Sequence, residues 1–188
     1  EYTFTIRQGV KFHDGSDFNA QAVVDNFGRW MNSSAAEFPY YGDMFGGYAS
    51  DDSHIIQSVS APDKRTFVIE LKNPSASLLN NLAMVAFSIG SPTAFDELGD
   101  KPVGTGPFVF KEWKRNDSIY LDKNADYWQE GLPKVAQLIY KTIPDNSARI
   151  NSLVAGEIDI ADGLSPNDSG RLEGEAGIEL YERPSFNV

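Results

Sequence analysis

The stretch Lys101 to Trp113, KPVGTGPFVFKEW, sets Gly104 and Gly106 around one threonine. Such a pattern serves either as a phosphate cradle or as a backbone joint. A cradle needs a third spaced glycine and a following helix whose first amides face the phosphate. Here Pro107 and the alternating Phe108 and Phe110 predict a strand instead. The joint reading is the better supported: the glycines permit positive φ or close backbone approach, and Pro107 sets the exit direction. Metal ligation has two candidates, His13 with Asp14 in FHDG, and Asp51, Asp52 and His54 in SDDSH. Neither has a zinc or calcium spacing, and both read as solvated polar turns. No GxSxG elbow, HExxH helix or paired Ser and Lys motif occurs, and no two carboxylates stand out as acid and base. No catalytic residue, metal ligand or cofactor is assigned.

Aromatic residues form two groups. Phe38, Tyr40, Tyr41, Phe45 and Tyr48 lie beside Gly42, Gly46 and Gly47, and either line a ligand surface or pack within a loop. Trp113, Tyr120, Tyr127 and Trp128 fall among strand positions and read as core.

These residues are positioned by elements of alternating type. EYTFTI puts Tyr2, Phe4 and Ile6 on one strand face, and a tight ribbon with Val10 and Phe12 ends at Asp14-Gly15. Ala20, Val23, Val24, Phe27 and Trp30 recur at helical spacing behind the N-cap Asn19. Residues 33–53 lack a clean period and predict a long irregular excursion. A hairpin follows, with strands at 55–60 and 66–71. Ser75 to Ala83 reads as helix, Met84 to Ile89 as a buried strand, and SPTAFDEL as a helix capped by Ser91 with Pro92 in its first turn. Strands are expected at 108–113, 118–122 and 135–143, then a helix at 147–155 closed by Gly156. EIDIADGL reads as a buried strand, Ser165-Pro166 as the start of a short helix, and GIELYERP as a last strand. The fold class is α/β.

Composition narrows the partners. With 41% hydrophobic residues the 188-residue chain can pack a core, and a formal charge of −11 opposes nucleic acid and anionic membrane surfaces. The most apolar window, Leu78 to Gly90, is interrupted by Asn80 and Asn81 and is shorter than the roughly 20 residues of a membrane helix. Membrane insertion of this segment is therefore not expected. The absence of cysteine removes disulfides and thiolate chemistry. Opening directly on a strand pattern, the chain reads as a piece of a longer protein.

Four blocks in order carry a resemblance: YTFTIRQGVKFHDGSDFNAQAVVDNF, SPTAF, VGTGPFVFKEW, and DKNADYWQEGLPKVAQLIYKTIPDNSARINSLVAGEIDIADGL. Together they resemble the extracellular solute-binding proteins of ABC importers, peptide and nickel group, known as family 5. The resemblance implies a partial class II periplasmic-binding-protein fold with mixed sheets and flanking helices, in a chain lacking the second lobe. Residues 1–102 would be the small inserted domain of the first lobe, and 103–188 the first part of that lobe's main sheet domain. It implies a peptide or similar small solute as ligand, ABC permease subunits as partners of the parent, and no chemistry on the solute. It also implies a periplasmic or extracellular location, anchored at the cell surface if the parent is Gram-positive.

On this likeness the ligand wall is expected at Tyr40, Tyr41, Met44 and Phe45 in the aromatic segment, and at Met84, Phe87 and Ser88 before Ser91-Pro92. Nickel-binding relatives carry an arginine near the latter segment, and this sequence has none there. A sugar-, haem- or nickel-binding member of the family remains an alternative, as does, from outside it, a hydrolase domain working through two carboxylates.

Overall fold

The computed structural model describes residues 1–165, 170 and 172–181. The chain divides into two compact units, Glu1–Trp113 with Tyr120–Ile139, and Lys114–Ile119 with Tyr140–Val188.

In the first unit, the N-terminal alternation produces strand β1 (Tyr2–Thr5), with Tyr2 and Phe4 turned inward. β2 (Ile56–Asp63) and β3 (Thr66–Leu71) complete an antiparallel sheet of order β1-β3-β2, in register Phe4 to Phe67 and Val59 to Ile69. β3 is central, and its Phe67 and Ile69 are buried. Helix α1 (Ala20–Met31) starts where the Asn19 side chain accepts from the Ala22 amide, and its buried stripe Ala20, Val23, Phe27 and Trp30 joins the core. Phe27 reaches Phe67 at 5.1 Å between ring centroids.

The excursion at 33–53 contains a helix not expected from its sequence, α2 (Pro39–Phe45). Pro39 occupies its first turn, Tyr41 and Phe45 bury one face at i and i+4, and Gly46 ends it at φ +73°. Helix α3 (Leu78–Leu82) is one short turn anchored by buried Leu78. Met84 to Ile89 is not a strand: Val85–Phe87 form a 3₁₀ turn. Its apolar run finds no ladder partner among the described residues, and a strand cannot persist without one. The helix expected from Ser91 is also reduced to a 3₁₀ turn, Pro92–Ala94, and the Ser91 side chain makes no cap bond. Its hydroxyl is used elsewhere, as shown below.

β4 (Phe108–Lys114), β5 (Ser118–Lys123) and β6 (Gln137–Lys141) form a second sheet with β5 central. Asn116 turns the β4–β5 connection at φ +61°, a conformation asparagine tolerates.

In the second unit, helix α4 (Asn146–Val154) is capped by the Asp145 carboxylate, which accepts from the Ala148 amide at 2.7 Å, and buries Ile150. It closes at Gly156, φ +71°. Arg149 donates to the carbonyls of Ile143 and Gly163 at 2.8 and 3.1 Å, which ties α4 to the segment beyond it. EIDIADGL forms no strand, and Ile160 is 83% exposed. Gly177 to Tyr181 forms no strand either, while the rest of that expected element and nearly all of the one at Ser165-Pro166 lie outside the described residues.

Candidate functional site

Two segments expected to carry the ligand wall, 40–45 and 84–88, are mounted on one aromatic core. The ring of Phe87 lies 5.2 Å from Phe45, 5.5 Å from Phe38, 5.6 Å from Trp30 and 6.4 Å from Tyr41. These separations suit tilted and edge contacts. Tyr41, Phe45 and Phe87 are therefore packed together with buried side chains. Helical geometry turns Tyr40 outward and leaves Met44 at the edge of the core. Tyr40 is 54% exposed and Met44 is half-buried. Across from Phe87, Val85 is 90% exposed, Ser88 is exposed and Met84 is half-buried against the core. The Asn81 side-chain amide donates to the Met44 carbonyl at 3.1 Å, linking the end of α2 to α3.

The loop after α2 is closed tightly. A Cβ on Gly46 would stand 2.6 Å from the Ser53 carbonyl oxygen, and one on Gly47 2.6 Å from the Asp51 carboxylate. Ile55 donates its amide to the Phe45 carbonyl at 2.9 Å, and the Tyr48 hydroxyl donates to the Phe38 carbonyl at 3.0 Å. His54 was expected in a solvated turn but is buried, with Nε2 2.8 Å from the Tyr41 hydroxyl. Burial lowers the His54 pKa, Lys72 lowers it further and Asp51 opposes the change. Burial raises that of Tyr41. Both effects keep the pair neutral.

The polar turn at His13 and Asp14 is also more than solvated surface. His13 Nδ1 accepts from the Gly104 amide at 3.3 Å, so Nε2 carries the proton and donates to the Gly106 carbonyl at 3.0 Å. Asn124 donates to the same carbonyl at 2.9 Å. The Gly-Thr-Gly segment bends into β4, in keeping with a joint. Its glycines act otherwise than expected: neither has positive φ, and neither a Gly104 nor a Gly106 Cβ would meet any atom closer than 4.0 Å. The Gly104 amide and the Gly104 and Gly106 carbonyls are engaged by the protein, and a strand rather than a helix follows, so no helix N-terminus faces this segment.

Asp14 accepts from the Ser91 and Thr93 hydroxyls at 2.6 Å each, and from the Ser16 amide at 2.9 Å. Partial burial pushes its pKa up, but the Ser16, Ser91 and Thr93 hydroxyls and the Ser16 amide more than offset this and hold the carboxyl well below its usual range. One residue earlier, the backbone of Gly90 pairs with the Asn26 side chain. Sequence reasoning missed Asn26 and the roles of His54 and Asp14. The only local signal was a polar residue within an apolar helical stripe, at Asn26.

An open groove of about 630 Å³ runs beside Phe12, His13, Asn124, Tyr127 and Trp128. Two of its hydrogen-bonding groups, His13 Nε2 and Asn124 Nδ2, are taken by the Gly106 carbonyl. Trp113 and Trp128, expected as core, are 39% and 38% exposed, and the Arg7 guanidinium lies over the Trp128 ring at 4.2 Å. Among the described residues no three His, Cys, Asp or Glu side chains are grouped to hold a metal, and no helix is long and apolar enough to cross a membrane.

The profile of bacterial extracellular solute-binding proteins, family 5 Middle, matches residues 1–188. The glutathione-binding protein GsiB of Shigella flexneri is 36% identical over 189 residues, covering 98% of this chain and 35% of its own length. The periplasmic binding protein DppA of Helicobacter pylori, solved with the peptide STSA, superposes with a TM-score of 0.76 at 36% identity, over 92% of this chain and 36% of that one. A dipeptide-binding protein of Pseudoalteromonas sp. SM9913, solved with Met-Leu, gives 0.78 at 27% identity, over 93% and 37%. The chain thus spans about a third of the length of the relatives it matches. It belongs to the bacterial extracellular solute-binding proteins, family 5.

Proposed function

We propose that this chain is the first-lobe part of an ABC importer's solute receptor, and that the full-length receptor captures a short peptide or a peptide-like solute outside the membrane and hands it to permease subunits. The carrying observation is the pair of segments seated on one aromatic core, with Tyr40 and Ser88 exposed and Met44 and Met84 half-buried at its edge. Apolar side chains with one hydroxyl and nearby irregular backbone suit a ligand held by packing and by main-chain hydrogen bonds. Tyr41, Phe45 and Phe87 support that wall from behind. The similarity to proteins that bind glutathione, a peptide and a dipeptide points to the same ligand class.

Residues 1–102 form the small inserted domain in this reading, and 103–188 begin the main sheet domain. The boundary lies between the end of β3 at Leu71 and the start of β4 at Phe108, in the stretch that links the two sheets. The His13 bonds to Gly104 and Gly106 join the two parts, and Asn124 holds residues 106–107 from within the second. The receptor performs no reaction on its solute.

Calorimetric titration of the full-length receptor with reduced glutathione and with di- to tetrapeptides is the test. Saturable binding of at least one, weakened by Tyr40→Ala or Met84→Ala, is expected. Absence of saturable binding across the peptide series would reject the ligand class.

A further inference from the structure

Segment 84–89 belongs to no regular ladder: Phe87 seats its middle on the aromatic core, and hydrogen bonds hold its two ends. At the leading end, the Met84 amide donates to the Asn81 carbonyl at 3.1 Å, and Asn81 itself reaches Met44. At the trailing end the hold is reciprocal. Asn26 Nδ2 donates to the Gly90 carbonyl at 2.8 Å, and the Gly90 amide donates to Asn26 Oδ1 at 3.0 Å. The side chain thus reads Gly90 as a neighbouring strand would. Nδ2 also donates to the Ala22 carbonyl at 2.8 Å, which fixes the amide plane on α1.

Asn26 is fully buried on a face that otherwise carries Ala22, Val23, Phe27 and Trp30. An apolar residue of similar volume would serve that face at no desolvation cost, whereas a buried amide is tolerated only when paired. Its distinguishing contribution is the grip on Gly90. The neighbouring Ser91 is held as well, by its amide to the Val103 carbonyl and by its hydroxyl to Asp14, and Leu98 packs close over Gly90, leaving no room for a Cβ there without its moving. Gly90 lies two residues from Ser88.

We propose that Asn26 is a positioning residue for solute recognition. It touches no solute, and by holding Gly90 it sets the direction in which Met84 and Ser88 face the wall formed by Tyr40 and Met44. The proposal rests on the reading of those four residues as solute-facing.

The test uses the full-length receptor, with Asn26→Leu to remove both bonds to Gly90 while filling the space. Asn26→Ala, which cannot overpack the site, serves if the leucine variant does not fold. Affinity for reduced glutathione and for the dipeptide Met-Leu is measured by calorimetry, and amide hydrogen exchange is followed in parallel. The expected result is affinity weaker by about tenfold, in the range for residues that act on a ligand through another segment. Faster exchange is expected at residues 85–91, with protection at Val23 and Ile69 unchanged. A folded variant that binds either probe as tightly as the wild type overturns the role of Asn26 and leaves the receptor reading standing. Protection lost evenly across the core would show a structural role alone and also overturn it. If the wild type binds neither probe nor any short peptide, the receptor reading fails and the proposal with it.

Discussion

Val85 and Phe87 stand two residues apart in one apolar run, and their substitution to alanine separates two conformations of that run. In a strand, side chains at i and i+2 share a face, so the two residues would be buried or exposed together. In the 3₁₀ turn Val85 is 90% exposed and Phe87 5%. Phe87→Ala removes a ring that contacts Trp30, Phe38 and Phe45 at 5.2 to 5.6 Å between centroids. Buried Phe→Ala changes cost about 3 to 5 kcal/mol, and aromatic pairs add to simple area burial. A loss of about 4 kcal/mol is expected, a large share of the roughly 5 to 15 kcal/mol that holds a domain folded. Val85→Ala should stay within about 0.5 kcal/mol, as for exposed positions generally. Urea unfolding followed by tryptophan fluorescence and circular dichroism measures both, with Trp30 beside the altered site. Comparable losses for the two variants, or less than about 1.5 kcal/mol for Phe87→Ala, would refute the seating of this segment on the core.

Gly46→Ala meets the Ser53 backbone oxygen at 2.6 Å in a left-handed conformation, φ +73°. Since backbone cannot swing aside as a side chain can, a loss above about 2 kcal/mol is expected in the same unfolding assay. Gly104→Ala, with no atom nearer than 4.0 Å and no positive φ, should cost far less. The lowered pKa of His54 makes stability depend on pH: the unfolded histidine binds a proton more readily than the folded one. Stability should therefore be complete above the ordinary histidine value of about 6.5 and fall as pH drops below it toward the folded value. His54→Gln should flatten that limb of a pH-stability curve, and an unchanged limb would count against a buried neutral His54.

Local pattern carried much of this fold. The stripe Ala20, Val23, Phe27 and Trp30, the alternation around Phe67 and Ile69, and the Gly156 end of α4 each involve neighbours within a few residues, and each element formed where its period indicated. Segment 84–89 was not legible, because an apolar run records neither whether a ladder partner exists nor which of its residues meet the core. α2 was missed because Tyr41 and Phe45 are only a single i, i+4 pair within a glycine-rich stretch.

The polar contacts divide on the same ground. A hydrophobic period states which face of an element turns inward, and family-like motifs state which elements follow one another. Neither states what lies opposite a given side chain. Asn26 meets Gly90 across 64 residues, Asp14 meets Ser91 across 77, and His13 meets the Gly104 amide across 91. Those partners are set by the packing of separate elements, so one turn that looked like solvated surface became the hold on the Gly-Thr-Gly joint and on Ser91. The glycines show the division most directly. Gly46 and Gly104 look alike in the sequence, and the crowding of Ser53 against one alone makes its hydrogen side chain indispensable.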